Sequence, residues 1–180
     1  MGHSESTRQA KGVEQTVSRK NDIENKLKAM EGGAFQKLAE SYVYRKLKLT
    51  SLTAIGSQKG TDKVTRGVPD AHSIGKDGAY LIAFTTDQSG SFKKIFKDVE
   101  DCLKLERDTN HPLHDVCKIV CCHTCWKLQL WEEQTILSLA PGRVELLGPA
   151  TMVEDMLTEY ADLAWDYLGV PVGNGSLLTL

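Results

Sequence analysis

Three groups of residues carry side chains that can do chemistry. The first lies in "GVPDAHSIGKDGAYLIAFTTDQ", residues 67–88, with Asp70, His72, Thr85, Thr86 and Gln88. Carboxylates, hydroxyls and amides are hard oxygen donors, the kind that hold Mg²⁺ (or Mn²⁺) and keep a water poised for phosphodiester hydrolysis. The second is "CKIVCCHTC", residues 117–125, in which Cys122 and Cys125 have zinc-knuckle spacing. No second Cys-x-x-Cys pair exists, and cysteines in an apolar run pack as small hydrophobes, so zinc is not expected. The third is basic: Arg45, Lys46 and Lys48, then Lys59, Lys63 and Arg66, then Lys93, Lys94 and Lys97. They flank Asp70 in sequence and are candidates to hold phosphates, although interleaved acids also fit an ordinary solvated surface.

The elements that must position these groups follow from pattern. "AFQKLAESYVYRKLKL" repeats apolar residues at helical spacing, and Glu40 rides on that helix. "LTSLTAIGSQ" (49–58) reads as a strand, and residues 68–74 and 79–86 as two strands joined by "GKDG", a hairpin turn. "SGSFKKIFKDVEDCLKLERD" reads as a helix with Ser91 as its N-cap. "HPLHD" is a loop, with His111 and His114 lacking a partner cluster, and "VCKIVCCH" (116–123) is a strand covered on both faces. "WKLQLWEEQTILSLA" fits no single element, "RVELLGP" is a short strand, and "ATMVEDMLTEYADLAWDYLGV" is one helix. Trp126, Trp131 and Trp165 are expected in the core. The expected class is α/β, a mixed sheet flanked by helices.

Length and charge bound the rest. The chain has 180 residues, 41% hydrophobic and 26% charged, with a net charge of −2, which suits one compact domain and excludes a uniformly basic nucleic-acid binder. No apolar run reaches the ~20 residues that span a bilayer, and the N-terminus lacks a secretory apolar segment. Four of the five cysteines crowd into residues 117–125, a poor disulfide framework that fits a reducing, cytoplasmic setting. Residues 1–31 read as a polar N-terminal arm or helix with a thin stripe of Val13, Val17, Leu27 and Met30, residues 32–170 as the folded domain, and 171–180 as the start of a linker into more protein.

The element order and the Pro69-Asp70…Ala83-Phe84-Thr85-Thr86…Gln88 pattern together resemble the PD-(D/E)xK superfamily, the restriction-endonuclease-like nucleases. The resemblance covers residues 33–125 and implies an α-β-β-β-α-β core with a C-terminal strand and helix added. It implies Asp70 as a metal ligand and catalytic residue, Thr85 and Gln88 as supports for water and phosphate, and Glu40 as a helix-borne acid. It further implies a Mg²⁺-dependent cutter of double-stranded DNA, acting as the N-terminal effector of a bacterial antiviral STAND-type NTPase. Such effectors are switched on by homo-oligomerisation, as dimers or tetramers, under a C-terminal NTPase and sensor region. No membrane partner is implied.

One residue departs from the pattern. The acid of "(D/E)xK" is Ala83, which ligates nothing. Adjacent hairpin strands would set Asp70 and position 83 side by side, with Thr85 two residues on and on the same strand face. Losing one carboxylate from such a pair costs roughly a thousandfold or more in rate. We read Ala83 as a replacement introduced into a toxic nuclease, glutamate to alanine being the usual choice. The alternative is a natural pseudo-nuclease, a non-catalytic DNA-binding or oligomerisation module of the same fold.

Overall fold

A computed structural model describes residues 3–55, 69–86, 89 and 91–173, with side chains from Gly12 onward. Lys59, Lys63, Arg66 and Gln88, all expected near the site, lie outside the described residues. The order is α1 (His3–Lys28), α2 (Gly32–Lys46), β1 (Thr53–Ala54), β2 (Ala71–Gly75), β3 (Gly78–Thr85), α3 (Ser91–Arg107), β4 (Val116–His123), α4 (Leu130–Leu137), β5 (Val144–Leu147), α5 (Pro149–Thr158) and α6 (Ala161–Leu168). The chain divides into two compact units, residues 30–149 and residues 1–29 with 150–180.

The larger unit is an α/β layer structure around a five-stranded mixed sheet in the order β1-β2-β3-β4-β5. β1, β2 and β3 run antiparallel, whereas β3, β4 and β5 are parallel. Parallel neighbours need a crossover, and α3 and α4 supply the two. Ala79, Leu81 and Ala83 of β3 and Ile119 and Cys121 of β4 form one apolar cluster with Ile95, Val99 and Cys102 of α3 and Ile136 of α4. α2 buries Phe35, Leu38, Ala39, Tyr42 and Val43, none of them in that cluster, and covers the other face. Both faces of β3 and β4 are therefore covered, which is why these strands read as continuous apolar runs.

Several local features explain the departures from expectation. The strand expected at 49–58 is reduced to Thr53–Ala54 among the described residues. Residues 47–49 instead close the end of α2, where the Leu49 N–H reaches the Tyr44 carbonyl at 3.0 Å and Lys48 takes a positive φ of 51°. The hairpin turn at Lys76-Asp77 is as expected. Gly78 sits at φ 117°, where an added Cβ would lie 2.6 Å from the Asp115 carbonyl, so no other residue fits this entry to β3. The ambiguous segment holds a short helix, α4, at Leu130–Leu137, whose start is closed by the Gln129 N–H donating to the Glu132 carboxylate at 2.8 Å.

The tryptophan expectation is corrected. Trp131 is 60% exposed and Trp165 59% exposed, and Trp126 is half-buried. α4 buries Ile136, and Trp131, in its first turn, rests its ring on Phe92 with centroids 5.5 Å apart. In the smaller unit, α6 buries Leu163, Ala164 and Leu168, which leaves Trp165 on the outer side. The single helix expected over 150–170 is two: the Asp155 carbonyl accepts from both the Glu159 and Tyr160 N–H groups at 2.8 Å and ends α5. Gly169, left-handed at φ 66°, ends α6. On α1, Ile23 and Leu27 are buried, whereas Val13 and Val17 of the expected stripe are 65% and 53% exposed. No described helix is long and apolar enough to cross a membrane.

Candidate functional site

Asp70 immediately precedes β2, at the end of the hairpin away from its turn. The β2–β3 ladder pairs Ala71 with Ile82, but the Asp70 N–H also donates to the Ile82 carbonyl at 2.9 Å, one residue out of step. The slip lets the carboxylate turn across the strand end, where Oδ2 accepts the Phe84 N–H at 2.7 Å. The side chain thus replaces a ladder partner, and the main chain fixes its position. Its other neighbour is open space: a cleft of about 370 Å³ lined by Gly32, Gly33, Phe35, Gln36, Asp70, Phe84, Thr85, Thr86 and Lys94.

The cleft opens at the C-terminal end of β3, where the chain leaves the sheet for α3. Crevices at the carboxyl ends of parallel strands are where α/β sheets usually bind ligands. α2 contributes its two N-terminal glycines and Gln36, and α3 contributes Lys94. Lys94 Nζ donates to Asp98 Oδ2 at 2.5 Å, and Asp98 is buried with its side chain 5% exposed. Gln36 Nε2 donates to Glu40 Oε1 at 2.9 Å.

The carboxylates influence one another. Burial lifts the Asp70 carboxyl above the usual carboxylate range, opposed by the Phe84 N–H and Lys94 and reinforced by the charges of Asp98 and Glu40. Asp98 is raised as well, chiefly by burial, against the pull of Lys94.

The structure brings Asp70, Thr85 and Lys94 of the expected set together, and the remaining described members stand apart. Glu40 does not line the cleft and acts on it through Gln36 and through its charge. Ala83 does not line it either: it is 2% exposed, inside the cluster formed with α3. Its parallel partner in the sheet is Cys121, and both pack in the cluster with Ile95, Val99 and Cys102 of α3, so position 83 lies on the face that α3 covers. Lys93 is exposed and outside the lining, and Lys97 is held on the surface by Asp101. Gly32, Gly33, Gln36 and Asp98 were not singled out from sequence. Two of them sit four residues from a candidate (Gln36 from Glu40, Asp98 from Lys94), a spacing that puts side chains together on a helix.

The histidines and cysteines have other occupations. His72 pairs with Thr53 and Leu81 and does not line the cleft. In the 111–114 loop, His111 Nδ1 accepts the Leu113 N–H at 3.1 Å, a local turn. His123 Nδ1 accepts the buried Cys125 N–H at 3.2 Å, and burial lowers this imidazole to about 4, so it is neutral with its proton on Nε2. Cys121 and Cys122 point to opposite faces of β4, and burial pushes both thiols up. The Cys125 thiol donates to Ser91 Oγ at 2.7 Å, so that hydroxyl, expected as an N-cap, holds the strand end to α3.

No protein family, curated protein or solved structure matches this chain. Among the described residues no group of three or more His, Cys, Asp or Glu comes together to hold a metal ion. Asp70 is the single carboxylate on the described lining, and one of its oxygens already accepts a main-chain N–H. Mg²⁺ is usually held through one or two carboxylates together with waters and substrate phosphates, and the described lining offers one carboxylate, Asp70. What remains is a carboxylate, an anchored ammonium and two threonine hydroxyls around a space open to solvent. That combination can bind a phosphate and orient a water, with no second acid among the described lining residues.

Proposed function

We propose that residues 30–149 are a nuclease domain of the restriction-endonuclease-like kind, directed at double-stranded DNA and lacking its second acid at Ala83. One observation carries the reading: a main-chain-fixed Asp70 stands in an open cleft beside Thr85, Thr86 and Lys94, where the β2–β3 hairpin meets α3. In this reading Lys94 and the threonines hold the phosphodiester, and Asp70 is the surviving half of a carboxylate pair. The wider setting belongs to the same proposal: a cytoplasmic effector that acts as an oligomer under an NTPase and sensor region.

The test is to return the acid. Ala83→Glu, with Ala83→Asp as the shorter alternative in a tight cluster, is fused to a dimerising coiled coil and incubated with supercoiled plasmid and Mg²⁺. Nicking is expected at least roughly a thousandfold above the parent chain, and adding Asp70→Ala returns it to background. Folded proteins that never nick, with or without Asp70, would leave the non-catalytic module as the better reading. The burial of Ala83 within an apolar cluster is what favours that second reading.

A further inference from the structure

We propose that Lys94 is the group in this cleft that meets the phosphate of a DNA substrate, and that Asp98 is the positioning residue that holds it there. The proposal rests on the DNA-directed reading above and adds to it the source of the positive charge. Among the described lining residues Lys94 is the only cation, and Thr85 and Thr86 offer neutral donors alone.

The pair is difficult to explain as helix stabilisation. Lys94 lies in the first turn of α3, which carries no acidic residue, and the positive end of a helix dipole disfavours a cation. Lysine preceding aspartate by four residues is the weaker order for such a pair. Asp98 is 5% exposed, and taking a carboxylate out of water carries a large desolvation penalty that its partner must offset. Three unfavourable choices converge on one side-chain pair.

Their common result is a fixed ammonium. A free lysine loses rotamer entropy when it engages a ligand, and a lysine already anchored has lost it in advance. Asp98 takes one of the three N–H donors of Nζ, and the Lys94 side chain remains 43% exposed at the cleft. The ammonium is also close enough to Asp70 to favour its ionised form. A phosphate entering the cleft thus meets a lining cation that is held by a buried acid and still has donors to offer.

The test has two arms. In the first, the chain as it stands is labelled with ¹⁵N at the lysine side chains and titrated with a 16-base-pair duplex. The Lys94 Nζ signal, identified by its loss in Lys94→Arg, is expected to shift with saturation. Asp98→Asn should broaden it and weaken duplex binding several-fold, whereas Asp101→Asn should leave binding unchanged. A duplex that binds without moving this signal, or does not bind at all, overturns the proposal.

The second arm uses the Ala83→Glu protein and plasmid nicking. Lys94→Ala is expected to lower kcat by about 100-fold with little change in KM, and Lys94→Arg to recover part of it. Asp98→Asn should lower kcat by about tenfold, with Asp98→Glu restoring part of the loss. If the Ala83→Glu protein nicks and Lys94→Ala nicks equally well, the role given to Lys94 is wrong and the nuclease reading stands. If it never nicks, the nuclease reading falls, and the titration alone decides whether Lys94 meets a phosphate.

Discussion

α3 carries two lysine–aspartate pairs of the same order and spacing, and they are not alike. Lys97 and Asp101 pair on the open surface, with side chains 67% and 24% exposed, and Asp101 is shared with Lys104 at 2.6 Å. Lys94 and Asp98 stand on the sheet side, 43% and 5% exposed, at the edge of the Asp70 cleft. The charges are nearly the same, but the solvent is not. The two lysines that hold Asp101 lower its carboxyl below the usual range, whereas burial lifts Asp98 above it despite Lys94. The comparison teaches that a helical ion pair acquires meaning from what covers it: the outer one is a solvated decoration, and the inner one fixes a cation at a cavity.

Breaking each pair from the lysine side gives the largest expected difference. Lys94→Met leaves Asp98 buried without its cation, and an unsatisfied buried acceptor costs about 1–3 kcal/mol. Urea unfolding at neutral pH should show a loss of that size for Lys94→Met and an unchanged midpoint for Lys97→Met. Equal midpoints would mean that water reaches Asp98 and that the two pairs do not differ.

Acid titration sharpens the contrast, because the two aspartates act with opposite sign. The folded pKa of Asp98 lies above its unfolded value, so the native state holds that proton more tightly and its ionisation opposes folding. Stability is regained as pH falls through the folded value towards the unfolded one. Asp101 is depressed, so its contribution is present above the unfolded pKa and lost as pH falls through the folded value. Asp98→Asn should therefore steepen the acid limb of the stability curve and Asp101→Asn should flatten it, each by less than the loss expected from Lys94→Met. His123, lowered to about 4 by burial, makes both curves fall below pH 6.5 and is common to all the variants.

The contrast also explains what could be read from sequence. The elements around Asp70 were legible because they obey simple periodicities: the apolar spacing in α2 and α3, the unbroken run of β4, and the turn residues Lys76-Asp77-Gly78. Asp70 and Thr85 were legible as candidates through the resemblance, and Lys94 through the basic residues that flank Asp70 in sequence. The burial that distinguishes Asp98 from Asp101 was not legible, since both read as charged helix residues and only the approach of β3 and β4 separates them. Ala83 was expected at the place of an acid, and its packing under α3 could not be read from the sequence. Trp131 and Trp165 misled because hydrophobicity does not say which side of a short helix meets the core; in α4 the buried residue is Ile136. The slip at Asp70 that hands the Phe84 N–H to a side chain leaves no trace in composition or period.

Salt gives the smallest and most selective difference. Coupling between the partners of each pair can be measured by double-mutant cycles, Lys94→Met with Asp98→Asn and Lys97→Met with Asp101→Asn, at low salt and at 1 M NaCl. At 1 M the screening length falls to about 3 Å, and ions have free access to the exposed pair. The Lys97–Asp101 coupling should vanish there. Asp98, with 5% of its side chain exposed, admits few counter-ions, so most of the Lys94–Asp98 coupling should survive. A cleft pair that screens as completely as the surface pair would mean that the ammonium is loosely held. Lys94 would then reach an incoming phosphate no better prepared than any other surface lysine, and the anchoring assigned to Asp98 would have no energetic basis.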